Sequence, residues 1–166
     1  MNIFISYIPQ SQEVTYLGIH LDRRFTWRRH IESKRLQMKL KSAELNWLNG
    51  SHSKLSLDNK VLLYKSILKP IWTYGIQLYG NASSSNIEII QRAQSKILRT
   101  MTAAPWYIRN ENIHKDLQIL FVRKEFERVK LSYKSKLEAH PNTLARSLAQ
   151  TSEHSRLRRS DRPPMN

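Results

Sequence analysis

The chain has 166 residues and carries 28 Lys and Arg against 13 Asp and Glu, a formal net charge of +15. A chain of this length can bury a stable hydrophobic core without disulfides or structural metal ions. The absence of Cys excludes disulfides, thiolate zinc sites and cysteine nucleophiles. The excess of positive charge favours a folded protein that binds a polyanion, although lysines that are merely solvated can produce the same excess. The apolar stretch at residues 3–5 is too short for a signal peptide or a membrane span. We therefore expect an intracellular protein without a membrane partner.

The first 24 residues show the apolar and polar alternation of β structure. We expect a turn at residues 9–12 between two extended segments, of which the second runs through 14–21. Residues 1–24 are therefore assigned to a short N-terminal β-hairpin.

A long helix is predicted to begin after Thr26, a residue type that caps helices, and to end at Asn49-Gly50. Its apolar residues form two stripes, so we expect it to pack on both sides. A basic ridge between the stripes is then a crest or the floor of a groove, and it either contacts phosphates or is merely solvated. The first stripe is Trp27, Ile31, Met38 and Leu45, the second is Leu36, Leu40, Ala43 and Trp47, and the ridge is Arg28, Arg35 and Lys39.

The second helix is expected to follow the cap residue Ser56 and to run through 57–68, until Pro70 kinks or breaks it. Its composition leaves little polar face, which predicts the central buried helix. Lys65 and Lys69 interrupt that apolar face. They either extend their amines to solvent or reach for phosphate.

The third helix is predicted from Ser85 and Glu88, which have the spacing of a capping box. The helix has an apolar face and, opposite to it, a basic face. The basic residues either contact phosphate or form local ion pairs, as Arg92 could with Glu88. The apolar face is Ile87, Ile90, Ala93, Ile97, Leu98 and Met101, and the basic face is Arg92, Lys96 and Arg99.

The rest of the chain is predicted to be helical up to a biased tail. Asn110 is expected to cap a short helix, and the apolar series Val122, Phe126, Val129, Tyr133 and Leu137 predicts a longer one with otherwise solvated faces. After Pro141, Asn142 is expected to cap a last short helix. Residues 25–150 thus form a helical bundle, and 151–166 are expected to be a disordered basic tail.

The sequence holds no local pattern that carries a reaction. Its Asp and Glu residues are scattered without an Asp-Asp pair, its His residues lack metal-ligand spacing, and it has no glycine-rich phosphate loop. Trp72 and Trp106 either stack on bases or pack in the core, and their apolar context favours packing.

An ordered series of motifs over residues 3–120 resembles the C-terminal part of the reverse transcriptase of jockey-like non-LTR (LINE-type) retrotransposons. The series is VTYLGIHLD at 14–22, Thr26-Trp27, His30-Ile31, KVLLYK at 60–65, ILKPIWTYG at 67–75, Ile89, Gln91-Arg92, QSK at 94–96, Leu98-Arg99, APWY at 104–107 and Asn110.

The resemblance implies that Tyr16, Leu17 and Gly18 match a palm-end hairpin that grips the primer strand, and that the helices match the thumb, which holds the template–primer duplex. It implies an RNA–DNA or DNA duplex as partner, bound without sequence preference, and a nuclear location. The candidate nucleic-acid-binding residues are Tyr16, Leu17, Gly18, Arg28, Arg35, Lys39, Lys65, Lys69, Arg92, Lys96 and Arg99.

The family's catalytic Asp pair has no counterpart in this sequence. We therefore expect a fragment that is inactive alone, with no cofactor of its own. The intact enzyme would use Mg²⁺ and dNTPs through upstream motifs, and the missing palm and fingers would be partners. The alternatives are a free-standing basic helical module that binds nucleic acid, and a non-functional expressed remnant.

Overall fold

The structure, a computed structural model, describes residues 11–150. Within them a two-stranded hairpin precedes a helical bundle, so the expected mainly α fold is confirmed. The strand expected before residue 11 and the tail at 151–166 lie outside the described residues. The elements are β1 (Glu13–Tyr16), β2 (Ile19–Asp22), α1 (Arg28–Glu44), α2 (Asn46–Asn49), α3 (Leu57–Leu63), α4 (Lys69–Thr73), α5 (Ile76–Tyr79), α6 (Ser84–Thr102), α7 (Asn110–Asp116), α8 (Val122–Glu138) and α9 (Thr143–Gln150).

The prediction of one continuous strand over 14–21 is wrong, because the chain turns in its middle. β1 and β2 pair antiparallel with Tyr16 opposite Ile19, which makes Leu17-Gly18 the turn. Both residues have positive φ, 48° and 73°, as a tight two-residue hairpin turn requires. Gly18 adopts this conformation freely, whereas Leu17 pays a steric cost of about 1–2 kcal/mol. The apolar side chain of Leu17 concealed the turn in the alternation pattern, whereas the family resemblance placed a hairpin at Tyr16, Leu17 and Gly18, and this hairpin is confirmed.

α1 begins differently from the prediction, because Trp27 is its N-cap and no side chain caps it. Asp22 instead holds the turn that precedes the helix. Its carboxylate accepts hydrogen bonds from the backbone N–H groups of Thr26 and Trp27, both at 2.9 Å. Burial raises the pKa of Asp22, but these hydrogen bonds outweigh it and hold that pKa below its usual value. Trp27 precedes the helix with a φ of 63°, and α1 ends at Glu44 rather than continuing to Asn49.

A kink or a break was predicted at Pro70, and the structure shows no break. α3 continues through a π-helical segment, Tyr64–Leu68, directly into α4, and the chain leaves the helix only at Tyr74. The backbone N–H of Lys69 donates to the carbonyl of Tyr64, five residues back. The wider π turn lies just before the proline, where a regular helix would meet its ring and its missing N–H group.

This continuous segment is the centre of the core, as predicted. Tyr64, Leu68 and Trp72 are fully buried, and the hydroxyl of Tyr79 donates to the carbonyl of Trp72. The side-chain amide nitrogen of Gln94 in α6 donates to the hydroxyl oxygen of Tyr64 at 2.9 Å, whereas its Oε1 is buried without a hydrogen-bond partner among the described residues. Other fully buried side chains that surround the segment are Ile31, Met38, Ile90, Leu98 and Val122.

The helix caps divide between confirmed and corrected predictions. Ser56 and Asn142 accept hydrogen bonds from the backbone N–H groups at the starts of α3 and α9, as expected. The cap of α6 is Ser83, two residues before the predicted Ser85. Asn110 is the first residue of α7 and not its cap.

The prediction that the polar faces of α8 are solvated fails at Glu125, which is 2% exposed. Its carboxylate lies 2.9 Å from Nζ of Lys69 and 2.5 Å from Nη2 of Arg128. Burial raises the pKa of Glu125, but the hydrogen bonds and charges of these two cations lower it below its usual value overall. Glu125 therefore ties α8 to α4. No helix in residues 11–150 is long and apolar enough to cross a membrane.

Candidate functional site

A groove of about 1250 Å³ runs along α1 and α6, which pack against each other. We call it the α1–α6 groove. Residues 29, 32, 36, 39 and 43 bring one side of α1 to it, Asn46 of α2 adds to the same side, and residues 89, 92, 93, 96, 97 and 100 bring one side of α6. These spacings of three and four residues are those of single helix faces. Its basic lining residues are Arg29, Arg35, Lys39, Arg92 and Lys96, and its apolar ones are Leu36, Ala43, Ile89, Ala93 and Ile97.

The structure thus joins two basic ridges that the sequence placed on separate helices. Arg35, Lys39 and Lys96 are exposed and make no ion pair with any described residue. Arg92 is also exposed, and its Nε donates only to the carbonyl of Glu88, at 3.4 Å. Four predicted binding residues therefore line the α1–α6 groove with charges that no acidic side chain of the described residues neutralises.

The acidic side chain among the described residues that line this groove is Glu32, and its charge is already compensated. Nε of Arg28 lies 3.0 Å from the Glu32 carboxylate, one helical turn away. Arg28 itself is exposed but does not line the groove. The groove therefore has a positive potential, and Arg28 contributes to that potential by neutralising the negative charge of Glu32.

Two other predicted binding residues have partners inside the protein. Lys69 pairs with the buried carboxylate of Glu125. The guanidinium of Arg99 donates to the carbonyls of Pro105 and Ile108 and to Oδ1 of Asn110, at 2.6, 2.7 and 2.8 Å. Lys65 is exposed on the π-helical segment and does not line the groove.

The hairpin lies at the end of the groove where α1 begins. Glu13 forms an ion pair with Arg29, and His20 of β2 lines the groove beside it. The hydroxyl of Tyr74 donates to the carbonyl of Leu17 at 2.8 Å and so holds the turn against the helical bundle. The side chains of Tyr16 and Leu17 remain exposed, at 65% and 69%.

Sequence reasoning missed Arg29 and the apolar residues of the groove. The signal was present, since 29, 36 and 43 lie seven residues apart and share one helix face. The prediction that the second apolar stripe of α1 packs against the protein is wrong. Leu36 is 51% exposed in the groove, and Leu40 and Trp47 are 61% and 75% exposed outside it.

A second cleft, of about 910 Å³, adjoins the groove across α6. We call it the aromatic cleft. It is lined by Glu88, Gln91, Arg92, Ser95, Lys96, Arg99, the segment 106–111 and Phe121. Trp106 is 90% exposed there, whereas Trp72 is fully buried. The interpretation that both tryptophans pack is therefore right for Trp72 and wrong for Trp106.

The two buried histidines within residues 11–150, His30 and His114, are structural. Burial, with the charges of Lys34 and His20, lowers the pKa of His30 to about 4, and its Nδ1 accepts a hydrogen bond from the backbone of His20. Burial lowers the pKa of His114 as well, although its hydrogen bond with Ile119 opposes this. Within residues 11–150, no three His, Asp or Glu side chains are grouped so as to hold a metal ion.

Comparison with known proteins gives several matches along nearly the whole chain. It is 41% identical over 152 residues to the probable RNA-directed DNA polymerase from transposon X-element of Drosophila melanogaster, which covers 92% of this chain and 17% of that protein. It is 39% identical over 155 residues to the RNA-directed DNA polymerase from mobile element jockey of Drosophila funebris, covering 93% and 17%. The chain resembles the polymerases of jockey-like elements.

The matches confirm the resemblance seen in the motifs. A third relative, the polymerase from mobile element jockey of Drosophila melanogaster, is 41% identical over 141 residues. The chain spans only 15–17% of the length of these three polymerases. No protein-family model matches the chain, and no solved structure matches it.

Proposed function

We propose that this chain is the part of an RNA-directed DNA polymerase that holds the template–primer duplex, without preference for its sequence. The observation that carries the proposal is the gathering of Arg35, Lys39, Arg92 and Lys96 in the α1–α6 groove. Lysine and arginine contacts to phosphate provide affinity and position but do not read bases. The duplex is an RNA–DNA hybrid or a DNA duplex.

The hairpin supports this assignment by its place at the end of the groove. Exposed Tyr16 and Leu17 would contact the primer strand, and Gly18 has no side chain to keep a sugar–phosphate backbone away from the turn. The bond from Tyr74 to Leu17 holds this contact surface in place. We assign Arg28 and Lys65, which are exposed beside the groove and on the π-helical segment, to peripheral contacts.

We further propose that the chain does not extend a primer by itself. Phosphoryl transfer by two metal ions needs carboxylates that converge on the ions, and the sequence has no adjacent Asp pair. The Mg²⁺ and dNTPs would be bound by other parts of such a polymerase, its palm and fingers, which are then the partners of this chain. The proposed place of this work is the nucleus.

The first test is a binding titration by fluorescence anisotropy, with an RNA–DNA hybrid and a DNA duplex, between 50 and 200 mM NaCl. Four phosphate contacts predict that log K falls with log salt at a slope of about −3 to −4. The double variant Arg35→Gln, Lys39→Gln should make the slope shallower by roughly 2, because two contacts are lost. Primer extension with Mg²⁺ and dNTPs should give no product.

The matched control is the double variant Arg123→Gln, Lys124→Gln. It removes the same charge from exposed positions of α8 that do not line the groove. The control should retain nearly the full slope. An equal loss in both variants would mean diffuse attraction to a basic protein, and binding without salt dependence would refute the duplex-holding function.

A further inference from the structure

We propose that the aromatic cleft binds unpaired nucleotides of a strand that extends beyond the duplex. In this arrangement a base stacks on Trp106, and the neighbouring phosphates contact Arg92, Lys96 and Arg109. The inference rests on the proposed function, because the duplex in the α1–α6 groove delivers the strand to the cleft.

The first support is the way the segment after α6 is held. The guanidinium of Arg99 bonds to Pro105, Ile108 and Asn110 at 2.6–2.8 Å, so a single side chain connects the start, middle and end of this segment. The segment is therefore fixed without burying its aromatic residues. Bonds to a charged donor are among the stronger hydrogen bonds of a protein.

The second support is the exposure of two adjacent large aromatic side chains. Trp106 is 90% exposed and Tyr107 is 66% exposed. Their ring centroids lie 6.0 Å apart with the ring planes at 82°, an edge-to-face pair. A base on the face of the indole would thus have the tyrosine ring beside it. Stacking on aromatic faces is how proteins bind single strands without reading their sequence.

The third support is the charge around these rings. Arg92 and Lys96 line both the aromatic cleft and the α1–α6 groove, so phosphates passing from one to the other would cross the same face of α6. Arg109 adds an exposed cation next to the aromatic pair. Glu88 and Glu111 also line the cleft, but the four basic residues, including Arg99, outnumber them. An aromatic surface with a positive surround matches a polyanion of stackable bases.

The experiment compares a blunt duplex with the same duplex carrying a three-nucleotide overhang that contains 2-aminopurine, as DNA in one arm and RNA in the other. The wild-type chain should quench the 2-aminopurine fluorescence and bind the overhang substrate more tightly than the blunt one. Trp106→Ala should weaken overhang binding by roughly 5- to 100-fold and abolish the quenching, while blunt-duplex affinity stays unchanged. Trp106→Phe should retain part of the gain.

The matched control is Trp47→Ala, which removes another exposed tryptophan, 75% exposed, that lines neither the cleft nor the groove. It should bind both substrates like the wild type. Normal blunt-duplex binding without any gain from either overhang, or equal effects of the two variants, would overturn this inference and leave the duplex function intact. Loss of blunt-duplex binding in the wild type would instead refute the proposed function.

Discussion

His30 shows how one buried side chain can make the stability of this fold depend on pH. It is fully buried, its ring centroid lies 5.0 Å from that of Tyr79, and its Nδ1 accepts a hydrogen bond from the backbone N–H of His20 at 3.3 Å. An acceptor nitrogen is unprotonated, which fits a pKa lowered to about 4 by burial and by the charges of Lys34 and His20. The folded state therefore excludes the charged imidazole.

We expect the free energy of unfolding to fall as the pH is lowered from 6.5 towards 4, because the His30 imidazole then binds a proton in the unfolded chain but not in the folded chain. The His30 contribution is complete above pH 6.5, and its loss reaches roughly 3 kcal/mol near pH 4. Urea unfolding of the wild type and of His30→Gln at pH 7.5 and 4.5 measures it. The variant is destabilised at pH 7.5 but should show a weaker pH dependence. His52→Gln, at an exposed position, should keep the wild-type dependence, and the prediction fails if the two variants behave alike.

At the scale of elements, the ion pairs of Glu125 connect the proline-containing helix to α8. The Lys69 side chain is 30% exposed and the Glu125 side chain 2% exposed, so a carboxylate is desolvated and two cations compensate it. Such an arrangement adds little to stability compared with apolar packing, but losing one member leaves an uncompensated charge. Lys69 is therefore part of the fold before it can be part of any binding surface.

Glu125→Gln should lower the free energy of unfolding by roughly 2–3 kcal/mol, less than for a fully buried pair because Lys69 and Arg128 remain partly exposed. Glu127→Gln, exposed on the same helix, should change it by less than about 0.5 kcal/mol.

The stabilising effect of the pair should be present above the ordinary glutamate pKa of 4.5 and disappear as the pH falls through the lowered pKa of Glu125. Denaturant titrations at pH 7 and pH 3 measure both effects. Equal stability of the two variants at pH 7 would contradict a structural role for the pair.

Periodicity predicted the elements whose faces are uniform. The buried face of α6, from Ile87 to Met101, and the central position of Trp72 are as the sequence indicated, because these apolar stripes face the core. The second apolar stripe of α1 has the same helical spacing, yet Leu36, Leu40 and Trp47 are exposed. Periodicity failed at Leu17, where an apolar residue occupies a turn. It also did not indicate the π turn before Pro70, where a kink or a break was expected.

The candidate site was predictable only in parts, because its assembly depends on tertiary contacts. The ridges containing Arg35 and Arg92 follow from helix spacing, but nothing local places α1 beside α6. In the same way, nothing local shows that Lys69 pairs with Glu125 or that Arg99 bonds to the segment after α6. These partners are long side chains with several acceptors in reach, and the chain's fold selects among them.

For the molecule as a whole, the net charge of +15 should act in opposite directions on the free chain and on its complex with a duplex. Repulsion among like charges destabilises the free folded chain most at low salt, where the screening length is about 30 Å at 0.01 M and about 8 Å at 0.15 M. Exposed pairs such as Lys41–Glu44, at 3.0 Å, lose attraction with salt, but each is worth little.

We therefore expect the unfolding temperature of the free chain to rise between 20 and 200 mM NaCl, by about 2–4 °C for each kcal/mol of repulsion removed. A duplex that binds only the folded chain stabilises it in proportion to the logarithm of its affinity, and that affinity is highest at low salt. The stabilisation by a saturating duplex should accordingly shrink over the same range.

The double variant Arg35→Gln, Lys39→Gln should reduce this stabilisation at 20 mM NaCl more than the double variant Arg123→Gln, Lys124→Gln does, although both variants remove the same charge. Thermal unfolding with and without duplex measures all of these changes. A free chain whose unfolding temperature falls with salt would show that its ion pairs outweigh its net charge.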